Sequence, residues 1–179
     1  WSDLKKFVRT GDFTLGKPLE KFEKSFAKLI GTKYAIGVNS GTDALKLSLK
    51  AMGIKSGDEI ITAANTFVAT VGAICELGAK PIFVDCDDTF CLNVNKIEEK
   101  ITNKTKAIVP VHFTGYMANM PQIIKIAKKY KLKIIEDSAD TLGAKINNRS
   151  TGIYSDISIT SFYGSHIISC AGNGGMLLT

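Results

Sequence analysis

Cysteine, histidine and tryptophan are scarce in this chain of 179 residues, with four, two and one of each. Cys75, Cys86, Cys91 and Cys170 show no C-x-x-C spacing. That excludes a disulfide framework read from spacing, and it argues against a zinc or iron–sulfur site built from this segment. The cysteines read as reduced thiols, which points to a cytoplasmic protein. No stretch approaches the roughly 20 apolar residues of a membrane span, and the start carries no signal-peptide pattern. No G-x-G-x-x-G follows the first strand-like segment, which argues against a nicotinamide enzyme. Internal repeats, low-complexity tracts and linkers are absent as well.

The remaining composition is that of a globular protein, 45% hydrophobic and 22% charged, long enough for one domain with a sizeable core. The net charge of +6 is moderate. Much of it sits in Lys125, Lys128, Lys129, Lys131 and Lys133, around a predicted helix end. Such runs are usually solvated faces, so no nucleic-acid partner is expected.

Strand-like and helix-like segments alternate. Pro18 stands where a helix should begin and Gly31 where it should end, with Leu19, Phe22, Phe26, Leu29 and Ile30 on one face. Tyr34 to Val38 reads as a strand and Thr42 to Met52 as a helix closed by Gly53. Ile60 and Ile61 start a second strand. A helix from Phe67 to Leu77 follows, then a strand from Pro81 to Val84. Asn95 to Ile101 reads as helical, Ala107 to Val111 as a strand, Pro121 to Tyr130 as a helix and Leu132 to Ile135 as a strand. Asp156 to Ser161 and Met176 to Leu178 complete the set. This alternation predicts an α/β fold with a largely parallel sheet. The chain stops at Thr179, inside a strand-like run, which suggests a domain that continues.

In such sheets ligands collect at the carboxyl ends of strands, and three polar groups fall there: Ser40-Gly41-Thr42, Glu136-Asp137 and Ser161. In Asn39-Ser40-Gly41-Thr42, a glycine at a strand-to-helix turn lets backbone approach a ligand, and the helix start offers free N–H groups. The segment is a phosphate cradle or a plain N-cap. In Glu136-Asp137-Ser138-Ala139-Asp140, an aspartate at a strand end can pair with a protonated ring nitrogen. These carboxylates can equally be metal ligands or caps, although no histidine lies near them in sequence. Phe67 is either a ring-stacking aromatic or a core residue.

The order and spacing of four segments say more than any one of them. They are Ser40 to Leu45, Asn65 to Thr70, Glu136 to Ala144, and Ser161 to His166 with its following glycine run. In this order the chain resembles the DegT/DnrJ/StrS-type sugar aminotransferases from about Gly11 to Thr179. The segment Gly11 to Gly16 leading into Glu20 to Glu23 also looks like that family's N-terminal lead-in. The resemblance implies the large domain of a fold-type I pyridoxal phosphate enzyme, a three-layer αβα architecture with a mostly parallel sheet. It further implies that a C-terminal small domain is absent from this chain, and that the protein is a homodimer whose sites borrow residues from the neighbour.

The resemblance also assigns roles. Gly41 and Thr42 match the phosphate turn, Phe67 the aromatic on the pyridine ring, Asp137 the partner of the ring nitrogen, and Ser161 a second phosphate contact. His166 stands where the family normally has the lysine that holds the cofactor covalently. An imidazole has no primary amine, but it moves protons near neutral pH. Asp140 stands where aminotransferases usually carry glutamine or histidine near the cofactor's phenolic oxygen.

Both departures resemble the nucleotide-sugar 3-dehydratases, which use pyridoxamine phosphate and a histidine base. Their histidine usually lies in a Tyr-Pro-Ala-His-His context; here it is Tyr163-Gly164-Ser165-His166-Ile167. The implied activity is C3 deoxygenation of a nucleotide-linked 4-keto-6-deoxyhexose in deoxysugar or polysaccharide biosynthesis, with an amino donor such as glutamate and without a metal. The alternatives are an aminotransferase whose lysine was replaced by histidine, and a non-catalytic homologue.

Overall fold

Neighbouring residues on a strand face opposite sides of a sheet, so two adjacent buried isoleucines mark a strand covered on both faces. Ile60 and Ile61 in β2 (Glu59–Ala63) are such a pair, and Ile134 and Ile135 in β5 (Lys133–Asp137) are another. In the computed structural model, which describes residues 1–11 and 13–179, both strands lie inside a seven-stranded sheet with a neighbour on each side. Asp12, part of the lead-in segment, lies outside the described residues.

Going along the chain, α1 (Ser2–Thr10) and α2 (Lys17–Ile30) precede β1 (Ala35–Val38), and α3 (Gly41–Ala51) leads to β2. Next come α4 (Val68–Glu76), β3 (Lys80–Val84), β4 (Thr105–Val109), α5 (Met120–Tyr130) and β5. A short hairpin of β6 (Lys145–Ile146) and β7 (Arg149–Ser150) precedes β8 (Ile157–Ser161) and β9 (Gly175–Leu178). The strand order is β1-β9-β8-β5-β4-β2-β3. Pairing is parallel from β8 through to β3, while β9 runs antiparallel to both β1 and β8.

The strand alternation sorts the core into layers. Ile60, Ala107, Val109, Ile135, Ile159 and Leu177 pack with α3 and α4 on one face. Ile61, Ile108 and Ile134 pack with α5 on the other. Toward the β1 edge of that second face, Met176 and Leu178 meet Phe26, Ala27 and Ile30 of α2. The result is the three-layer αβα arrangement expected from the pattern.

Local chemistry sets most boundaries. Pro18 lies in the first turn of α2, and Gly31 closes the helix at φ 93 with its N–H on the carbonyl of Ala27, a conformation that favours glycine. Ser40 caps α3 and Asn119 caps α5 through their side-chain oxygens. Three expectations need correction. The buried face of α2 is Phe26, Ala27 and Ile30, while Phe22 and Leu29 are exposed. The segment from Asn95 to Ile101 is not one helix but part of two 3₁₀ turns, Val94–Lys96 and Glu98–Lys100. There the Asn93 side chain accepts from the N–H of Asn95 at 3.1 Å and starts a tight turn, a local bond that competes with regular helix. Finally, β4 ends at Val109, beyond which Val111 makes only an isolated bridge to Asp137.

Candidate active site

The strand ends of β1, β5 and β8 open on a cavity of about 670 Å³. Gly41, Thr42, Phe67, Asp137, Asp140, Ser161 and His166 all line it. The seven candidates come from four separate stretches of sequence, and the parallel sheet brings them to one place.

The wall at the start of α3 is built by close backbone approach. A Cβ on Gly41 would lie 2.7 Å from Ser161 Cβ, closer than such atoms ever sit, so glycine is required for the two turns to meet. Gly175 is constrained more tightly: a Cβ there would lie 2.3 Å from the carbonyl oxygen of Ser40. The first residue of β9 therefore crosses the α3 entrance in contact with its backbone. Ser40 Oγ accepts from the N–H of Asp43 at 3.0 Å. The capping reading of this segment is thus correct for Ser40. The N–H groups of Gly41 and Thr42, in the first turn, have no intrahelical acceptor and carry the positive end of the helix dipole. Ser161 presents its hydroxyl beside them, accepting from the Tyr163 N–H at 3.3 Å.

Asp137 ends β5 and is buried. Its Oδ2 accepts from Thr70 Oγ1 at 2.7 Å and its Oδ1 from the Ala139 N–H at 3.2 Å. Thr70 Oγ1 in turn accepts from Thr66 Oγ1 at 2.9 Å. Burial pushes the carboxyl above the ordinary aspartate range, and the two hydrogen bonds oppose that only in part. Among the described residues no basic side chain pairs with it. The site therefore holds a buried carboxylate that lacks a cation. Phe67, at the N-cap of α4, is 75% exposed on the cavity wall, so the core reading of this phenylalanine does not hold.

His166 follows β8 in a turn where its own N–H reaches the carbonyl of Tyr163 at 3.0 Å. The Tyr163 ring packs edge-on against the imidazole, with centroids 5.8 Å apart. Nε2 lies 3.2 Å from Oδ1 of Asp140. Nδ1 is buried and has no hydrogen-bond partner among the described residues.

Beneath the cavity lies a pair that sequence order concealed. His112 Nε2 is 2.9 Å from Glu136 Oε2, and His112 Nδ1 accepts from the Ala118 N–H at 3.2 Å. That backbone donor fixes the proton on Nε2, which then donates to Glu136. The other carboxylate oxygen, Oε1, accepts from the N–H groups of Gly152 and Tyr154 and from Ser155 Oγ. Glu136 is thus fully engaged in tying the β5 end to the loop before β8. Among the described residues no group of three His, Cys, Asp or Glu side chains is placed to hold a metal ion.

The fold and site define a family. Residues 2–179 match the DegT/DnrJ/EryC1/StrS aminotransferase family, and the chain belongs to it. It is similar to the UDP-N-acetyl-3-dehydro-alpha-D-glucosamine 3-aminotransferase of Acidithiobacillus ferrooxidans, 43% identical over 97% of this chain and 47% of that protein. Among solved structures it is similar to NtdA from Bacillus subtilis with bound PMP, at TM-score 0.94 and 41% identity over 98% of this chain and 40% of that one. It is also similar to the E. coli GDP-4-keto-6-deoxy-D-mannose-3-dehydratase with bound hydrated PLP, at TM-score 0.92 and 31% identity over 98% of this chain and 46% of that one. The chain spans about half the length of the curated relatives it matches.

Proposed function

We propose that the protein is a pyridoxamine phosphate-dependent dehydratase that removes the C3 hydroxyl of a nucleotide-linked 4-keto-6-deoxyhexose. The observation that carries the reading is that His166, which the family resemblance puts at the lysine position, lines the cavity 3.2 Å from Asp140. A lysine there would capture an aldehyde cofactor covalently. Histidine cannot, so the cofactor has to be held without a covalent link.

The residues present fit that group. The α3 entrance is kept clear of side chains by Gly41, which leaves the N–H groups of Gly41 and Thr42 and the Ser161 hydroxyl for a phosphate. Phe67 offers an exposed ring face for stacking. Asp137 is a buried carboxylate with no cationic partner among the described residues, which suits a protonated ring nitrogen. When bound, pyridoxamine phosphate supplies an amine that condenses with the C4 ketone and a cationic ring that accepts electrons. Asp137 keeps the proton on the ring nitrogen. His166 would be the group that takes a proton at the C4′ carbon and hands it to the departing C3 hydroxyl, which would leave as water. Glutamate is the proposed amino donor that restores the amine form.

The protein is further proposed to act as a homodimer. Phe67, Val68, Tyr163 and Ile167, around the cavity, are all more than half exposed, and a second copy would cover them. A monomer in sedimentation of the full-length protein at micromolar concentration contradicts this.

Aminotransfer is the second reading, favoured by the higher identity to a relative named as an aminotransferase. Product analysis separates the two. With a 4-keto-6-deoxyhexose nucleotide and glutamate, the native protein is expected to yield a 3-deoxy sugar, and His166→Asn to yield neither product because an amide cannot act as the base. A 4-amino sugar as the main native product overturns the dehydration reading.

A further inference from the structure

Two threonines stand at the start of α4, Thr66 just before the helix and Thr70 in its first turn. Thr70 is 1% exposed, and its Oγ1 lies 2.7 Å from Asp137 Oδ2. Thr66 is half-buried. Its Oγ1 lies 2.9 Å from Thr70 Oγ1 and 3.4 Å from the carbonyl oxygen of Phe67. Each hydroxyl has one proton to donate. An ionised carboxylate only accepts, so Thr70 donates to Asp137 and its oxygen accepts from Thr66. With a protonated carboxyl the chain can reverse: Asp137 donates to Thr70, Thr70 to Thr66, and Thr66 to the Phe67 carbonyl. The pair therefore serves both charge states of Asp137 and leaves no buried hydroxyl unpaired in either.

The other bond to this carboxylate, from the Ala139 N–H, comes from only two positions along the same turn. Among the described residues Thr70 is the side chain that hydrogen-bonds it from another element, across 67 positions. The same helix start carries Phe67, whose carbonyl accepts from the Thr70 N–H at 3.2 Å. One contact thus ties the turn that bears the exposed aromatic to the end of β5.

We infer that Thr70, oriented by Thr66, is the positioning residue of Asp137: its hydroxyl holds the rotation of the carboxylate for the cofactor's ring nitrogen and sets the Phe67 turn against β5. This rests on the pairing of Asp137 with the ring nitrogen proposed above, and it holds for dehydration and for aminotransfer alike. Neither threonine belongs to the contacts that the family resemblance assigns.

The test compares two probes on the full-length protein, pyridoxamine phosphate and its 1-deaza analogue, in which a C–H replaces the ring nitrogen. Both are titrated and followed by ring absorbance. The analogue cannot pair with Asp137, so the ratio of the two affinities reports that pairing and cancels general damage to the cavity. The native protein is expected to prefer pyridoxamine phosphate by about 10-fold or more. Thr70→Val should cut that preference by about 5-fold, and Thr70→Ser, which keeps a hydroxyl, should retain it. In an Asp137→Asn background, where the charge-assisted bond is gone, Thr70→Val should change the ratio no further. Thr66→Val, at a half-buried position, should lower the preference less than Thr70→Val does, and it carries the test if Thr70→Val does not fold.

A loss in Thr70→Val that falls equally on both probes overturns the inference and makes Thr70 a structural residue. A Thr70→Val effect on the ratio that persists in full in Asp137→Asn overturns it as well, as does a ratio unmoved by Thr66→Val where that variant has to carry the test. A native protein that binds both probes equally sinks the pairing of Asp137 itself, which separates the failure of that reading from the failure of this one.

Discussion

Replacing Asp137 by asparagine should leave the cofactor-free protein at least as stable while weakening its hold on pyridoxamine phosphate. Asp137 is buried, has no cation beside it among the described residues, and accepts only from Thr70 Oγ1 and the Ala139 N–H. Burial raises its carboxyl above the ordinary range. The folded protein therefore keeps the proton to higher pH than the unfolded chain does. Between the unfolded value of about 3.9 and the higher folded value, the native state binds more protons. Stability declines as pH rises through that window and stays at the lower level above it.

Asparagine has the same shape, accepts from Ala139, can donate to Thr70 Oγ1, and removes that slope. For the cofactor, the lost contact is a charge-assisted hydrogen bond worth about 1.5–3 kcal/mol, or roughly 10- to 150-fold in affinity. The assays are thermal unfolding without cofactor from about pH 3 to pH 8, and titration with pyridoxamine phosphate followed by ring absorbance. An Asp137→Asn protein that is less stable without cofactor, yet binds pyridoxamine phosphate as tightly as the native one, refutes the reasoning. Asp137 would then be a structural anchor.

Thr70→Val should destabilise the protein by about 1–2 kcal/mol at neutral pH by leaving Asp137 Oδ2 without its donor. The loss should shrink in acid, and denaturant unfolding at two pH values checks it. Gly175→Ala should lower stability by about 3 kcal/mol or prevent folding, since its Cβ would overlap the Ser40 carbonyl in a packed crossing. Gly172→Ala, with open space around it, is the near-neutral control in the same urea titration. His112→Leu should lower stability by about 2–3 kcal/mol, because Glu136 Oε2 loses its donor inside the protein and a buried acceptor is left unpaired.

Much of the layout was legible because local chemistry and global fold agree. Pro18, Gly31 and the paired isoleucines at 60–61 and 134–135 mark elements that the sheet then uses. The site's membership was legible only through the order of its motifs. Thr70 holds Asp137 across 67 positions, and no local pattern announces that bond beyond the i, i+4 spacing of Thr66 and Thr70. His112 is distant in sequence from Glu136, yet parallel pairing of β4 and β5 puts the two strand ends side by side. The β6–β7 hairpin did leave a signal. Asn147 and Asn148 both have positive φ, and asparagine pairs favour such tight turns. The antiparallel placement of β9 between β1 and β8 had none, since strand direction follows from the crossing at Gly175 and not from the composition of Met176 to Leu178.

His166 is proposed to let this site use the cofactor without tethering it. The most direct measurement is intact and peptide mass spectrometry after borohydride reduction in the presence of pyridoxal phosphate. The native protein is expected to show no stoichiometric lysine adduct, and His166→Lys is expected to gain one at position 166. A stoichiometric adduct on any lysine of the native protein contradicts this.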